Sequence, residues 1–277
     1  MGMNSGKFNE DMLPYLDQGE PSMARVYNWL LGGEFNFDCD RDRANVLMKK
    51  IPGVRHMVRR NREFLGRSVH IMMLRGIRQF IDIGSGLPDQ GATHEIVRMT
   101  HPGVPVVYVD RDPEVVGCGR SIIRGDEAAT IIQADLTDPA SVFEHPELLN
   151  RVDFGRPVGL VLGAVLHFIR DDEDAGRVVH GIRLILAPGS HLSVSHAVTD
   201  GMSGAMLDRI RDVDAALTPR SRHQLLSLFA EFEIVPPGLV PVHRWHPDVS
   251  VGTEYMQGDG PVGELEKLLH GIVCRLG

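Results

Sequence analysis

The sequence predicts an α/β fold: a parallel β-sheet with helices on both faces, preceded by a helical N-terminal segment. Three observations predict it. Five short apolar runs alternate with helical stretches between residues 79 and 195. Those runs lack a clean in/out alternation, as expected of strands covered on both faces. The first run closes in a glycine turn followed by a helix, the βα unit of such a sheet.

The elements follow in order. The first twenty residues are polar and weakly patterned, and are expected to be flexible or loosely docked. Residues 21–78 read as helical. Met23, Val26, Tyr27, Leu30 and Leu31 recur at helical spacing. Gly32 and Gly33 stop that helix, because glycine accepts the left-handed cap. A second helix is expected over 41–50, ending before Pro52, and a third over 54–75, ending at Gly76. Strands are expected at 79–83, 104–109, 129–133, 158–162 and 191–195, with helices such as 92–99 and 174–186 between them. Thr218 with Pro219 reads as the N-cap and first residue of a helix running to about 230. Residues 232–235 and 271–276 read as further strands, and the Pro- and Gly-rich 236–262 as loop. The implied organisation is a flexible 1–20, a helical lid at 21–78 packed on the core, and an α/β core at 79–277.

Composition narrows the function class. The chain has 277 residues, 43% hydrophobic and 24% charged, which excludes a disordered or fibrous protein. Asp+Glu number 37 against 29 Lys+Arg, a formal charge of −8. Nucleic-acid affinity is built largely from cations on phosphates, so a nucleic-acid partner is not expected. Cys39, Cys118 and Cys274 are scattered and odd in number, which argues against a disulfide framework or zinc knuckle. Reduced thiols fit a cytoplasmic location. The polar N-terminus has no apolar signal core, and no run approaches the length of a membrane span.

The strongest local signal is the stretch FIDIGSGLP at 80–88. Glycine at 84 and 86 lets backbone approach a ligand closely, and open α/β sheets bind ligands beyond the carboxyl ends of their strands. A dinucleotide fingerprint would place a third glycine at 89, where the chain has Asp89. A carboxylate there repels pyrophosphate from the helix N-terminus. No phosphate-loop motif occurs either. The turn therefore fits a cofactor without phosphates, such as S-adenosylmethionine. Asp110 ends the second strand, 24 residues after Gly86, where a carboxylate can accept from both ribose hydroxyls. Asp135 ends the third strand, where it can accept from the adenine amino group. Asp82, inside the first strand, can order the loop or hold the ligand's ammonium. The alternative for each Asp is a turn former or N-cap.

The chain resembles the actinobacterial S-adenosylmethionine-dependent methyltransferase family formerly described as domain of unknown function 574. The resemblance spans roughly 20–276. It is carried by PSMARVYNWLLGG at 21–33, Asn36 and Phe37, FIDIGSGLP at 80–88 and VYVDRDP at 107–113. QADL at 133–136, VLHF at 165–168 and LSVSHA at 192–197 complete it. It implies a class I, Rossmann-like methyltransferase core: a seven-stranded, mostly parallel sheet with an antiparallel last strand, and a helical lid over the cofactor cleft. The wider class often has a third glycine where this chain has Pro88, whose fixed φ suits a first helical turn. The expected cofactor residues at the strand ends are Asp82, Gly84, Ser85, Gly86, Leu87, Asp110, Arg111, Asp135, Leu136, Ala164 and Val165. Arg25, Asn28, Gly32, Gly33 and Asn36 are expected to join them from the lid. The bland reading makes Tyr27 core and Arg25 a solvated surface residue.

Two histidines stand where a general base would be needed if the acceptor must lose a proton. His167 follows the fourth strand and His196 the fifth, and imidazole suits neutral pH. The alternative for each is a structural histidine holding a loop. Lys49, Lys50, Arg55, Arg59, Arg60, Arg62, Arg67, Arg75 and Arg78 stand against Glu63 alone within 49–78. Such a run either attracts an acidic substrate or is a solvated helix face. Asp171, Asp172, Glu173 and Asp174 precede a helix whose N-terminus they would stabilise, so no metal is assigned to them. His243, His246 and Asp248 surround Trp245, for which a packed loop is the expected reading. The expected activity is methyl transfer from S-adenosylmethionine to a small molecule. Its rival is a non-catalytic sensor of S-adenosylmethionine or a related nucleoside on the same fold. A nicotinamide oxidoreductase is disfavoured by Asp89. The acceptor and the oligomeric state are not set by the sequence.

Overall fold

The computed structural model describes residues 16–213, 216–251 and 263–277. Three helices come first: α1 (Met23–Leu31), α2 (Asp38–Lys50) and α3 (Val54–Leu74). The first βα units follow as β1 (Phe80–Ile83), α4 (Thr93–Arg98), β2 (Val106–Asp110), α5 (Pro113–Ile122) and β3 (Ala129–Gln133). Two short helices, α6 (Pro139–Phe143) and α7 (Pro146–Leu149), lead to β4 (Gly159–Gly163), α8 (Asp172–Ile185) and β5 (His191–Ala197). The chain ends with α9 (Gly204–Val213), α10 (Arg222–Leu228), β6 (Glu233–Ile234), β7 (Val240–Pro241) and β8 (Leu269–Arg275).

The sheet order is β3-β2-β1-β4-β5-β8-β6, with β7 also paired to β8. Strands β1 to β5 run parallel, and β8 is antiparallel to β5, β6 and β7. The strand order steps outward on either side of β1, which opens a crevice at the carboxyl ends of β1 and β4. The sheet has eight strands where seven were expected. The outer edge of β8 is paired in two pieces, Ile234 with Cys274 and Val240 with Gly271, and the Pro-Pro-Gly segment at 236–238 bulges between them. Proline cannot donate to a ladder, so the edge strand splits there.

Both faces are covered. Ile81, Ile83, Val107, Val109, Leu160, Leu162, Leu192 and Val194 pack against α6, α7, α8 and α10. Phe80, Val106, Tyr108, Ile131, Val161 and Val273 pack against α3, α4 and α5. A third apolar cluster joins α1, α2 and the start of α3 to Ala197, Ile210, Leu265 and Leu268, which seats the first two helices over one end of the sheet.

Several boundaries differ from the sequence reading. Thr218 and Pro219 do not open a helix. Ser221 caps α10 instead, accepting from the Gln224 N–H while the Gln224 side chain accepts from the Ser221 N–H; this reciprocal pair outcompetes the Thr-Pro signal. The Thr218 N–H donates to the His167 carbonyl, and Arg220 forms a bridge with Val198. The segment expected as loop contains β7 and the fully buried Trp245. Of the N-terminal segment expected to be flexible, residues 1–15 lie outside the described residues. Leu16 is buried, and the Asp17 N–H donates to Glu114.

Candidate cofactor site

The site begins where β1 ends. Gly84 and Gly86 both have positive φ, 65° and 59°. A Cβ on Gly84 would stand 2.3 Å from Val165 Cγ2, so only glycine allows the end of β4 to close on this turn. The Gly84 and Ser85 N–H groups donate to the Val109 carbonyl, which pins the turn to β2. Asp110, at the end of β2, accepts from the Gly86 N–H at 2.9 Å through Oδ2 and from the Asp112 N–H at 3.1 Å through Oδ1. Burial pushes its carboxyl above the usual range, and these N–H donors oppose that shift. A carboxylate oxygen has two acceptor directions, so each Asp110 oxygen keeps one for a ligand hydroxyl.

Asp82 lies beneath the turn. Thr93 Oγ1 donates to its Oδ2 at 2.7 Å, and burial pushes the carboxyl up to about 6. The Arg62 guanidinium acts on it through space in the opposite sense. Behind it the Tyr108 hydroxyl accepts from the His94 N–H and bonds His94 Nδ1, fixing the start of α4.

The third strand end is built differently. Asp135 Oδ1 accepts from the Thr137 N–H and hydroxyl, at 2.9 and 2.8 Å. This is the Asx turn that the sequence held as its alternative. Its Oδ2 lies 3.9 Å from the exposed Arg111 guanidinium. The Leu136 and Leu87 side chains are buried in opposite cores, which leaves their backbone to face the strand ends. Ala164 adopts φ 57°, a strained position for a residue with a Cβ. Its N–H is held by the Ser195 hydroxyl and carbonyl. That conformation turns Val165 over Gly84.

Helix α1 packs beside the same turn. A Cβ on Gly86 would lie 3.9 Å from Ala24 Cβ of α1. Asn28 Nδ2 donates to Asp89 Oδ2 at 2.9 Å, while its Oδ1 accepts from the Phe35 N–H and from Asn36 Nδ2. Asn36 Nδ2 also donates to the Gly33 carbonyl, and Arg41 Nε donates to Asn36 Oδ1. Asn28, Gly33 and Asn36 thus form one polar knot that ties the lid to the glycine turn through Asp89. Gly32 is the left-handed C-cap of α1, and a Cβ there would lie 3.9 Å from Arg59 Nη2. Arg25 is not the solvated surface residue of its alternative reading. It is buried, and its guanidinium is engaged by Asp40, Glu114 and the carbonyls of Asp17 and Glu20. Four of its five N–H donors are taken by these partners.

The far end of the sheet holds the two histidines. His196 is fully buried; its Nδ1 donates to the Ala197 carbonyl at 2.7 Å and its Nε2 accepts from Arg220 Nη1 at 3.0 Å. Burial pushes it down to about 4. His167 stacks edge-on with His196 and Phe168, and burial holds it well below the usual histidine range. Its Nδ1 is buried without a partner. Arg220, only 1% exposed, also donates to the Leu166 and Ile169 carbonyls and to Asp172. The sequence reading missed Arg220 because a lone arginine after Pro219 carries no local signal. Neither reading of the basic run holds throughout. Arg67 is buried and donates to the Trp245 and Val242 carbonyls, and Arg62 is buried beside Tyr27. Asp171 caps α8, accepting from the Glu173 N–H.

These residues fit S-adenosylmethionine. The turn presents a carboxylate at the place of a vicinal diol, and Asp89 disfavours a phosphate. A family model described as S-adenosyl methyltransferase matches residues 9–264. A crystal structure from Thermobifida fusca, of a protein whose methyltransferase activity is inferred, is 35% identical. It covers 95% of this chain and 97% of its own, with a TM-score of 0.84. A protein of the domain-of-unknown-function 574 family from Streptomyces avermitilis is 30% identical, covers 94% and 99%, and gives a TM-score of 0.83. The mitomycin 7-O-methyltransferase MmcR, 17% identical with a TM-score of 0.50, covers 97% of this chain and 67% of its own and shares the fold alone. A search of the curated proteins found no match. The chain belongs to the S-adenosyl methyltransferase family and is a class I methyltransferase that uses S-adenosylmethionine.

Proposed function

We propose that this methyltransferase acts on a small molecule bound beyond the ends of β4 and β5, and that neither histidine there serves as its general base. The observation that carries this reading is the geometry of His196. Both ring nitrogens are already engaged, by the Ala197 carbonyl and by Arg220. His167 is as poorly suited, since burial holds its basicity well below the usual histidine range and its ring resists taking a proton. A base needs a lone pair within reach of the proton it takes. The rate enhancement then rests on positioning, which is a large term when reactants are held in line.

When bound, S-adenosylmethionine supplies an electrophilic methyl group. The chain's own residues do the rest. The backbone of Gly84, Ser85 and Gly86 lies against the cofactor, and Asp110 accepts from its ribose hydroxyls. Asp135 offers Oδ2, the oxygen its own turn leaves free, to the adenine amino group, with Arg111 beside it. Ala164 and Val165 flank the methyl, while α1, Asn28 and Asn36 hold the lid shut against water. The half-exposed Phe168 offers an apolar surface at the acceptor end. The lid makes the site a place for small acceptors, and the net charge of −8 disfavours nucleic acid. The acceptor class that fits is one that needs no base held by the protein, an amine or a thiol that gives its proton to bulk water and then attacks the methyl carbon as the free amine or thiolate.

The test is transfer of an isotopically labelled methyl group to a panel of small amines, thiols, phenols and aliphatic alcohols. Transfer to amines or thiols, retained when His196 is replaced by Gln, supports the reading. Transfer confined to alcohols and abolished in His196→Gln, with the fold intact by circular dichroism, overturns it.

A further inference from the structure

Among the described residues, Arg62 is the one buried arginine with no hydrogen bond or ion pair. It lies on α3 with 7% of its surface exposed. Its Nε is fully enclosed and has no hydrogen-bond partner. Among the described residues it has no ion-pair partner either. Its guanidinium lies over the Tyr27 ring, with the guanidinium carbon 5.8 Å from the ring centre. Beside it Asn61 donates to the Tyr27 hydroxyl at 3.0 Å, and Asn61 Oδ1 is also enclosed without a partner.

The carboxylates close to Arg62 are engaged elsewhere. Asp82 accepts from Thr93, and Glu95 Oε2 accepts from the Ala92 N–H. A buried cation without a partner costs stability, and such groups are ordinarily paired. The buried arginines elsewhere in this molecule obey that rule. Arg25 has Asp40 and Glu114, Arg220 has Asp172, and Arg67 is bonded to two carbonyls. Arg62 departs from it at the rim of the cofactor site.

Its position names the missing partner. Arg62 overlies Tyr27, one turn of α1 beyond Ala24, and Ala24 lies against Gly86, whose N–H is held by Asp110, so Arg62 stands beside the glycine turn on its α1 side. A ligand whose ribose is held at Asp110 and whose chain crosses the glycine turn reaches the Arg62 side. The sole anionic group of S-adenosylmethionine is the carboxylate at its amino-acid end. We propose that Arg62 binds that carboxylate, with its guanidinium held flat by the Tyr27 ring and by Asn61 behind the ring. The inference rests on the cofactor reading above. Guanidinium is suited to the task, since its planar fork matches a carboxylate.

The experiment compares S-adenosylmethionine with its decarboxylated analogue, which keeps the adenosine, the sulfonium and the amine. Calorimetric titration is run on the wild type and on Arg62→Met, with thermal melts of both proteins free of ligand. The wild type is expected to prefer the carboxylated ligand by about tenfold or more, the size of a charge-assisted hydrogen bond. Arg62→Met is expected to bind both ligands alike, and to melt at or above the wild-type temperature because an unpaired buried charge has gone. A wild type indifferent to the carboxylate overturns the proposal. So does Arg62→Met retaining the preference, or melting well below the wild type, which would make Arg62 a structural residue. Failure of the folded wild type to bind either ligand would instead remove the cofactor reading itself, and this inference with it.

Discussion

The two ends of the sheet's carboxyl edge follow different designs. At β1 and β2 the polar groups are left incomplete: Asp110 has an acceptor direction free on each oxygen, and Arg62 has no partner among the described residues. At β4 and β5 they are nearly closed. Arg220 bonds to His196, Asp172 and the carbonyls of the loop that carries His167. Strand-end position marks both ends as candidate sites. Hydrogen-bond satisfaction separates them, because an incomplete buried group is tolerated where a ligand completes it. On the proposed reading the first end is a binding surface, and the second, apart from His167 Nδ1, is a scaffold that shapes the space beside it.

The sharpest way to break this contrast is Arg220→Met. It removes a cation that fills the acceptors of Leu166 and Ile169 and leaves them buried. The expected cost is about 3 kcal/mol or more in chemical denaturation, with cofactor affinity retained by the folded fraction. Wild-type stability with selective loss of methyl transfer would make this end catalytic and reverse the assignment.

A smaller effect is expected with pH. Burial holds His94, His196 and His270 down to about 4, below the ordinary value of 6.5. The unfolded chain therefore binds protons that the folded chain refuses as pH falls below 6.5, and stability present above that value is lost toward 4. Asp82 acts in the opposite direction. Its carboxyl is raised from 3.8 to about 6, so its contribution is present at low pH and lost as pH rises through 6. The histidines outnumber it, so the melting temperature is expected to fall between pH 7 and pH 5. A flat or rising profile would mean that these rings are not held neutral by burial.

Much of the fold was legible in the sequence. The strand at 129–133 has the expected bounds, and the other parallel strands differ by one or two residues at their ends. Apolar runs buried on both faces are unambiguous when a turn closes each one. The edge was less legible, because the Pro-Pro-Gly bulge at 236–238 splits it into two pieces of two residues each, and only the first was read as a strand. The glycine turn at Gly84 and Gly86 and the strand end at Asp110 were legible because turn, strand end and spacing agree. Arg25 and Arg62 were not, because burial of a charge depends on partners distant in sequence, such as Glu114 for Arg25. Asp135 shows the limit of motif reading: its strand-end position matches Asp110, yet one of its oxygens closes its own turn.

That difference between two aspartates gives the most direct test of the central claim. The measurement is calorimetric titration of S-adenosylmethionine into wild type, Asp110→Ala and Asp135→Ala. The account predicts saturable binding to the wild type, weakened about tenfold or more by Asp110→Ala, which removes a buried charged acceptor. Asp135→Ala, at a half-exposed carboxylate, is expected to change affinity only a few-fold. Equal affinity in Asp110→Ala and the wild type, or a larger loss in Asp135→Ala than in Asp110→Ala, would contradict the account.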